Sequence, residues 1–242
     1  MRLGLFNGDP SKLEYGDISA AEVCSQEHRA LALAASRNGI VLKNSDRLLP
    51  LSKMKTRSLD VIVPKANDSE VLLGNYQGYQ CKNVTLLQGL QGYVKNTTYH
   101  PGCDFINCTS AAIDEAVDTA KKADYVVLVM GSDQTLEKEK LDRTELGLPV
   151  DVSFAKDNQN IGGILWVGYP GEAGAAALAE IISGEHNPDV QNKLHFKNLK
   201  VNKATDDGSV LNIDVSDVGS EVCNNAMITV KVAVKKPGRY GW

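Results

Sequence analysis

The segment of residues 125–143, YVVLVMGSDQTLEKEKLDR, constrains the fold of this chain more than any other. It opens with a continuous apolar run at residues 125–130, which is typical of a strand buried on both faces of a parallel sheet. Gly131 ends the run, and a loop rich in carboxylates follows. In open α/β sheets the loops that leave the carboxyl ends of the strands handle ligands. The segment therefore predicts both a covered sheet and a candidate site.

The carboxylate loop, residues 131–143, mixes acids with cations. The acids are Asp133, Glu137, Glu139 and Asp142, and the cations are Lys138, Lys140 and Arg143. Such a mixture can keep one carboxyl protonated while another stays ionised, as acid–base chemistry requires. Composition alone favours a solvated charged loop, because most charge runs lie on solvated faces. Both interpretations stay open at this point.

Size and charge exclude several classes of protein. The chain has 242 residues and a net charge of −4, which fits one or two domains and lacks the basic footprint of a nucleic-acid-binding protein. No apolar run approaches the length of a membrane span, and the apolar patch at the N-terminus is too short for a signal peptide. The four histidines are scattered without metal-ligand spacing, so we expect no metal and no cofactor.

Cysteines and glycosylation signals indicate a secretory history. Cys103 and Cys108 are close enough in sequence to bridge a small loop, and the chain has five cysteines, so at least one is unpaired. Asn-x-Ser/Thr sequons occur at Asn67, Asn83, Asn96 and Asn107. So many signals in one stretch are hard to attribute to chance, although a cytosolic protein with accidental sequons is the alternative. A secretory-type chain without a leader is expected to be part of a longer protein.

Alternating strands and helices predict an α/β domain. Strand patterns lie at residues 40–43, 59–63, 98–100, 125–130 and 163–168. Helical patterns lie at residues 19–39 (with a break near Ser25), 85–94, 110–124 and 172–182, and Gly184 is the predicted C-cap of the last helix. Ser19 and Glu22 fit a capping box for the first helix. The alternation indicates a mostly parallel open sheet sandwiched by helices, which we assign to residues 19–189 after a connector at residues 1–18.

The pattern changes after residue 148. Pro149 runs directly into VDVSFAKDNQN, and no helix or strand of normal length separates this segment from the carboxylate loop. From residue 190 onwards apolar and polar residues alternate as in half-buried strands. We expect residues 190–242 to form a partial β-sandwich.

A glycine-rich turn, GYPGEAG at residues 168–174, follows a strand and precedes a helix. A phosphate cradle uses this layout, but the turn lacks the GxGxxG spacing and the Lys-Ser/Thr pair of a P-loop. A packing turn or a contact to a sugar hydroxyl is therefore favoured. Trp166 lies within the preceding strand and is most simply a core residue, although its place near the loop rim permits stacking on a sugar.

Several segments together resemble the second domain of family-three glycoside hydrolases. In chain order they are ALALAASRNGIVLKNSDRLLPL, LLGNYQGYQC, GSDQTLEKEKLDRTELGLP, VDVSFA, and GYPGEAG with EIISGEHNP. The likeness is greatest to the plant β-D-xylosidase/α-L-arabinofuranosidase group. It covers roughly residues 1–189 and is most specific in EKEKLDR. The tail from Leu194 resembles the start of that group's fibronectin-III-like domain.

The resemblance implies a retaining glycosidase that acts on xylo- or arabino-oligosaccharides without a cofactor. In that group a (β/α)8 barrel carries the nucleophilic Asp, and the following α/β sandwich carries the acid/base Glu. Glu139 and Glu137 are the candidates for acid/base. Glu139 is favoured because the family pattern is Glu-x-x-Asp-Arg, and Asp142 and Arg143 complete it. The residues expected to orient the loop or contact the sugar are Asp133, Arg143, Trp166 and Tyr169.

Departures from the family pattern lead us to expect a truncated member. The barrel, and with it the nucleophile, is expected to be absent apart from a remnant at residues 1–18. The family's helix, strand and Gly-Gly-Pro turn are missing where Pro149 joins Val150, so one strand unit of the sheet is expected to be lost. The family's Ile-Gly-Pro turn reads IleValPro at residues 62–64, and the fibronectin-like domain is partial.

We therefore expect a chain that supplies an acid/base loop but shows no useful turnover alone. By family it belongs outside the cell or in the cell wall, and the implied partner is a barrel encoded upstream, with no nucleic acid or membrane. The alternative is a non-catalytic carbohydrate- or partner-binding remnant, with a shallow site formed by Trp166, Tyr169 and the Asp133 loop. A fragment that does not fold stably is a third hypothesis.

Overall fold

A computed structural model of the chain describes residues 7–43, 48–142, 154–158, 160–188, 200–206 and 211–216. The strands in these ranges are β1 Val41–Lys43, β2 Leu59–Ile62, β3 Thr97–His100, β4 Tyr125–Leu128, β5 Ile164–Trp166, β6 Lys200–Asp206 and β7 Leu211–Ser216. The α-helices are α1 Gln26–Gly39, α2 Leu86–Gln91, α3 Ile113–Ala120, α4 Phe154–Asp157 and α5 Gly174–Ser183. Helices and strands alternate through the larger part of the chain, which confirms the predicted α/β class.

β2 is the centre of a three-stranded parallel sheet with the order β3–β2–β4. Leu59 at the start of β2 lies opposite Thr97 of β3 and Tyr125 of β4. Because the three strands run in the same direction, their carboxyl ends lie at one edge of the sheet. Val61 and Val127 at the centre of β2 and β4 are fully buried. This edge is therefore a fixed platform for the loops that leave it.

β4 is less buried than its apolar sequence predicts. Val127 is buried, whereas Tyr125, Val126 and Leu128 keep partial exposure. Among the described strands β4 pairs with β2 alone, so its other edge has no neighbour in this part of the chain. The expectation of a strand buried on both faces is therefore correct at Val127 and wrong at Tyr125, Val126 and Leu128, which are only partly buried.

A second sheet is antiparallel and holds β1 and β5, with Leu42 opposite Leu165. The described strands therefore do not share one mostly parallel sheet, because β5 pairs with β1 rather than extending the β3–β2–β4 sheet. The lost strand unit was expected between β4 and β5, at the junction of Pro149 and Val150. That junction falls in residues 143–153, outside the described residues, so the loss stays a prediction.

α5 is the most buried helix of the described core. Seven of its ten residues are buried, because its Ala, Leu and Ile side chains leave little polar surface. α1 and α2 pack against it. A Cβ on Gly89 of α2 would lie 2.7 Å from the carbonyl oxygen of Ala175, so this helix crossing requires a glycine. α5 ends at Gly184, whose φ of 81° fits the predicted C-cap.

The first helix begins later than its predicted capping box. Ser19 caps a short 3-10 helix, Ala20–Cys24, by accepting a hydrogen bond from the backbone N–H of Ala21 at 3.3 Å. Ser25 then caps α1 by accepting from the N–H of His28 at 3.2 Å. The predicted break near Ser25 is present. The Ser19–Glu22 capping box is wrong, because the Ser19 hydroxyl accepts from the N–H of Ala21 rather than from that of Glu22.

The C-terminal part contributes an antiparallel pair, β6 and β7, in which Ala204 lies opposite Ile213. The alternating sequence pattern predicted strands here. Residues 217–242 lie outside the described residues, so the partial β-sandwich and the domain boundary at residue 190 stay predictions. Within the described ranges, no helix has the length and apolar character needed to cross a bilayer.

Candidate functional site

The candidate site lies at the carboxyl edge of the parallel sheet. Lys65 follows β2, the carboxylate loop follows β4, and Tyr169 follows β5 of the second sheet. The Nζ atom of Lys65 lies 2.9 Å from Oδ2 of Asp133. Glu137 and Asp133 both act electrostatically on the Tyr169 hydroxyl. The fold thus brings three separate segments to one place, and two of them leave the parallel sheet at its carboxyl edge.

Asp133 anchors the base of the carboxylate loop. The residue as a whole is 5% exposed. Oδ2 accepts from Lys65, and Oδ1 accepts from the backbone N–H of Thr135 at 2.9 Å and from the Thr135 hydroxyl. Burial raises the pKa of Asp133, but the hydrogen bonds from Thr135 and Lys65 outweigh burial and hold the pKa below its ordinary value. These bonds fix Asp133 at the base of the loop, and its role in orienting the loop for a sugar stays a prediction.

Glu139 lies at the tip of a tight turn. The backbone carbonyl of Asp133 accepts from the N–H of Glu137 at 3.1 Å, and Lys138 and Leu141 then exchange two backbone hydrogen bonds of 3.2 and 2.9 Å. Lys140 completes the turn with a φ of 66°, a left-handed conformation that costs energy for a residue with a side chain. This turn leaves Glu139 exposed and Glu137 half-buried.

The two candidate glutamates have different neighbours. Glu139 is hydrogen-bonded to the hydroxyl of Tyr76, which raises the pKa of that tyrosine. Glu137 acts on Tyr169 by its charge: the pKa of Tyr169 is raised first by burial and then by the charges of Glu137 and Asp133. Glu139 is therefore exposed at the loop tip beside the Tyr76 hydroxyl, whereas Glu137 is half-buried.

This division of neighbours is testable by titrating the tyrosines. In the Glu139→Gln variant the pKa of Tyr76 should fall toward its ordinary value of 10.0, because the neutral amide no longer favours the protonated phenol. The Glu137→Gln variant should lower the pKa of Tyr169 and leave Tyr76 unchanged. Ring-carbon NMR of 13C-tyrosine-labelled protein resolves both residues. An unchanged Tyr76 in the first variant contradicts the Tyr76–Glu139 contact.

The segment beside the carboxylate loop is residues 74–80, GNYQGYQ, which we call the tyrosine loop. Gln134 of the carboxylate loop donates through Nε2 to the carbonyl of Leu73 at 3.1 Å and to Oε1 of Gln77 at 3.3 Å. These bonds bring the two loops side by side. Sequence reasoning placed LLGNYQGYQC in the family likeness but assigned it no site residue. Its two tyrosines and two glycines, in a segment that follows the predicted strand at residues 59–63, were the sequence signal that could have marked this loop as part of the site.

Of the three other residues predicted to contact the sugar or orient the loop, the structure describes Tyr169 and Trp166 but not Arg143. Tyr169 is half-buried, and its Cβ and Cγ atoms lie 3.8 Å from where a Cβ of Gly74 would be. Trp166 is half-buried on β5, and its ring lies 3.3 Å from where a Cβ of Gly168 would be, so the ring packs over the Gly168 backbone. This contact fits the packing role considered for Trp166. Arg143 lies outside the described residues, so its predicted role is not placed.

The four sequon asparagines Asn67, Asn83, Asn96 and Asn107 are all exposed. Two disulfides join Cys103 to Cys108 and Cys24 to Cys81. The first is the short bridge considered from the sequence. The second spans 57 residues and could not be assigned from spacing, because it depends on the tertiary approach of the 3-10 helix Ala20–Cys24 to the end of the tyrosine loop. Within the described ranges, no group of three or more His, Cys, Asp or Glu could hold a metal ion.

Comparison with known proteins places the chain in the family that its sequence motifs resemble. Residues 40–156 match the glycosyl hydrolase family 3 C-terminal domain. The chain is 54% identical over 216 residues to probable beta-D-xylosidase 7 of Arabidopsis thaliana, which covers 78% of this chain and 28% of that protein. It is 45% identical, with the same coverage, to beta-xylosidase/alpha-L-arabinofuranosidase 1 of Medicago sativa subsp. varia. The chain thus spans about 28% of the length of these relatives.

A solved structure supports the same placement. The GH3 exo-beta-xylosidase XlnD, in complex with a xylobiose aziridine activity-based probe, matches with a TM-score of 0.67 and 33% identity. The match covers 76% of this chain and 27% of that one. It confirms the predicted resemblance and the α/β class, while the activity of the long relatives stays a property of those proteins.

Proposed function

The chain carries the C-terminal domain of glycosyl hydrolase family 3 and is a relative of the plant β-xylosidase/α-L-arabinofuranosidase group, and from this we propose that it supplies the acid/base loop of a retaining glycosidase. The substrates we propose are xylose- or arabinose-containing oligosaccharides of xylan and arabinan. The observation that carries the proposal is Glu139, exposed at the tip of a turn whose base is fixed by the partly buried Lys65–Asp133 pair.

Glu139 has the two properties that an acid/base residue needs. Its carboxyl is accessible to a glycosidic oxygen, and its loop is held at one edge of the sheet. In the first half of a retaining reaction the protonated carboxyl gives its proton to the departing oxygen. In the second half the carboxylate takes a proton from the water that attacks the glycosyl-enzyme intermediate. Glu137 is the second candidate, and we assign it a positioning role because it is half-buried and its charge acts on the Tyr169 hydroxyl.

We further propose that the nucleophile comes from outside these 242 residues and that the chain alone does not turn over substrate. Retaining chemistry needs a second carboxyl about 5–5.5 Å from the first. In the described part of the chain, the group found beside the Glu139 carboxyl is the Tyr76 hydroxyl. An exposed acid without an opposed nucleophile can bind or protonate but cannot form the covalent intermediate.

The direct test incubates the purified 242-residue chain with 4-nitrophenyl β-D-xyloside and 4-nitrophenyl α-L-arabinofuranoside. We expect no release of nitrophenol above the uncatalysed rate. Turnover that Glu139→Gln abolishes would refute the need for an outside nucleophile while keeping the acid/base assignment. Turnover that survives in Glu139→Gln would refute both parts of the proposal.

We propose an extracellular or cell-wall location for the chain. The support is chemical: two disulfides form readily in oxidising compartments, and the four sequon asparagines are exposed enough to carry glycans. Mass spectrometry of the protein from its native tissue before and after glycosidase treatment tests occupancy at each asparagine.

A further inference from the structure

The loop at residues 101–112 carries a glycosylation sequon whose middle residue is a bridged cysteine. The sequon is Asn107-Cys108-Thr109, and Cys108 is joined to Cys103. The sequons at Asn67, Asn83 and Asn96 contain no cysteine. Asn107 is exposed, but exposure of the asparagine is only one requirement for an acceptor. Oxidation and glycosylation therefore act on the same three residues of this loop.

The bridged loop folds the sequon into a tight turn. The backbone N–H of Cys108 donates to the carbonyl of Phe105 at 2.9 Å. Cys108 has a φ of 51°, a left-handed conformation that is uncommon for a residue with a side chain. In an extended segment, residues two positions apart point to the same side of the chain. The left-handed Cys108 removes this arrangement, so a transferase can no longer read Asn107 and Thr109 side by side.

The hydroxyl that completes the sequon is already occupied. Thr109 donates through Oγ1 to Oδ2 of Asp104 at 2.5 Å. The other oxygen of this carboxylate, Oδ1, accepts from the backbone N–H groups of Phe105 and Ser110, both at 2.9 Å. A hydroxyl has a single proton to donate, and the sequon is defined by the hydroxyl at this position. Thr109 is therefore not free to donate to a transferase while the loop keeps this shape.

The bridge can close without the rest of the fold, because its cysteines are five positions apart in sequence and short loops lose little entropy on closure. The sequon of Asn96 is different. Its hydroxyl residue, Thr98, donates to Oδ1 of Asp60 at 2.7 Å, and these two residues are 38 positions apart on neighbouring strands. The Asn96 sequon therefore closes only when β2 and β3 pair, whereas oxidation of two nearby thiols is enough to close the Asn107 sequon.

We propose that closure of the Cys103–Cys108 bridge shuts off Asn107 as an acceptor of N-linked glycan, so that the redox state of this loop sets the occupancy of the site. Bridge closure removes two protons and two electrons from the thiols and reduces the disulfide of an oxidoreductase to a dithiol. A chain that is bridged first carries no glycan at Asn107.

The competing reaction is the transfer of an oligosaccharide from a lipid diphosphate. The amide nitrogen of Asn107 forms a bond to the anomeric carbon of the oligosaccharide, the bond from that carbon to the diphosphate oxygen breaks, and the amide loses one proton. This inference goes beyond the proposed glycosidase function. Only its operation in the cell rests on the proposed extracellular location.

The test uses the whole 242-residue chain, made without glycan in bacteria and oxidised. It is incubated with a single-subunit oligosaccharyltransferase and a lipid-linked oligosaccharide, and peptide mass spectrometry measures the glycan at each asparagine. Cys103→Ser and Cys108→Ser both open the bridge and both keep an Asn-x-Thr sequon. They should raise the initial rate at Asn107 by at least about tenfold, because an acceptor conformation populated less than a tenth of the time loses that factor in apparent affinity.

Two further variants separate the bridge from its surroundings. Cys24→Ser opens the other disulfide and is the matched control, so it should leave Asn107 at the rate of the unsubstituted chain. Asp104→Ala keeps the bridge and frees the Thr109 hydroxyl. It should raise the rate less than the two opened variants do, because the left-handed turn at Cys108 remains.

Each outcome decides the proposal. Equal rates at Asn107 in bridged and opened chains overturn it, as does an equal rise in Cys24→Ser. A full rise in Asp104→Ala assigns control to the hydrogen bond and also overturns it. Asn96 reports the fold, so a rise at Asn96 in both opened variants shows general unfolding and overturns a local effect. Because the assay supplies the transferase, failure of the proposed location leaves this result unaffected.

Discussion

Replacing Glu139 with Gln should lower turnover by about 10²–10⁴-fold in an enzyme that contains this carboxylate loop and a complete active site, the range expected for loss of a general acid/base. The required enzyme is a graft: the 54% identical Arabidopsis relative with its matching segment replaced by residues 131–142 of this chain. The relative supplies the remainder of the site. The quantity to measure is kcat/KM for xylobiose.

The Glu137→Gln graft is the matched control. It removes a carboxyl two residues away and leaves the turn that presents Glu139. We expect it to lose much less activity, because Glu137 is half-buried and therefore less accessible to a glycosidic oxygen than Glu139. A greater loss in Glu137→Gln than in Glu139→Gln would exchange the roles of the two glutamates.

The leaving group provides a second readout for the same residue. Nitrophenol departs without help from an acid, so the first step on 4-nitrophenyl β-D-xyloside should be far less impaired by Glu139→Gln than the same step on xylobiose. Pre-steady-state release of nitrophenol measures that step. A merely structural role for Glu139 would slow both substrates to the same extent.

Replacing Lys65 with Met should destabilise the 242-residue chain by about 3 kcal/mol, because it leaves the Asp133 carboxylate buried without its cation. Asp133 is 6% exposed in this pair and Lys65 is 30% exposed, and the donors from Thr135 remain, so the low end of the range for buried pairs applies. Urea unfolding at pH 7 measures the loss. In the same variant, the carboxylate loop loses the ion pair that holds Asp133 in place.

An exposed ion pair of the same chain serves as the control. Lys121 and Asp118 lie three residues apart at the end of α3, with side chains 50% and 67% exposed. Lys121→Met should change the free energy of unfolding by less than about 0.5 kcal/mol, as for other solvated pairs. Equal effects of the two substitutions would contradict the anchoring role of Lys65.

The pH dependence of the Lys65 effect has a defined sign. The pKa of Asp133 is held below its ordinary value in the folded chain, so its contribution to stability is present above about pH 4, the pKa range of unfolded aspartate, and is lost as pH falls through the lower folded pKa. The stability difference between the unsubstituted chain and Lys65→Met should therefore be full at pH 7 and narrow below about pH 4. A difference that grows on acidification would contradict the pairing.

Sequence reasoning could predict what local pattern determines. The apolar runs of β2 and β4, the break near Ser25 and the C-cap at Gly184 all follow from side-chain type at neighbouring positions. The pairing of β5 with β1 could not be predicted, because an apolar run is compatible with either neighbour and the choice is made by tertiary contacts.

The same distinction holds at the site. The spacing Glu-x-x-Asp-Arg indicated Glu139, and the position of the carboxylate loop after a buried strand indicated where it would lie. The Lys65–Asp133 pair, the Gln134 contacts and the Cys24–Cys81 bridge join residues that are 57 to 68 positions apart in sequence. The periodicity of the sequence does not reveal contacts between such distant residues, so only the structure shows that the tyrosine loop lies beside the carboxylate loop.

Azide rescue tests the assignment of Glu139 most directly. In the graft carrying Glu139→Gln, 4-nitrophenyl β-D-xyloside should form the glycosyl-enzyme, and azide should then attack it without needing a general base. The account predicts accelerated turnover and a β-xylosyl azide product, seen by proton NMR, with no such product from Glu137→Gln. Azide product from the Glu137 variant alone, or none from the Glu139 variant, would contradict it.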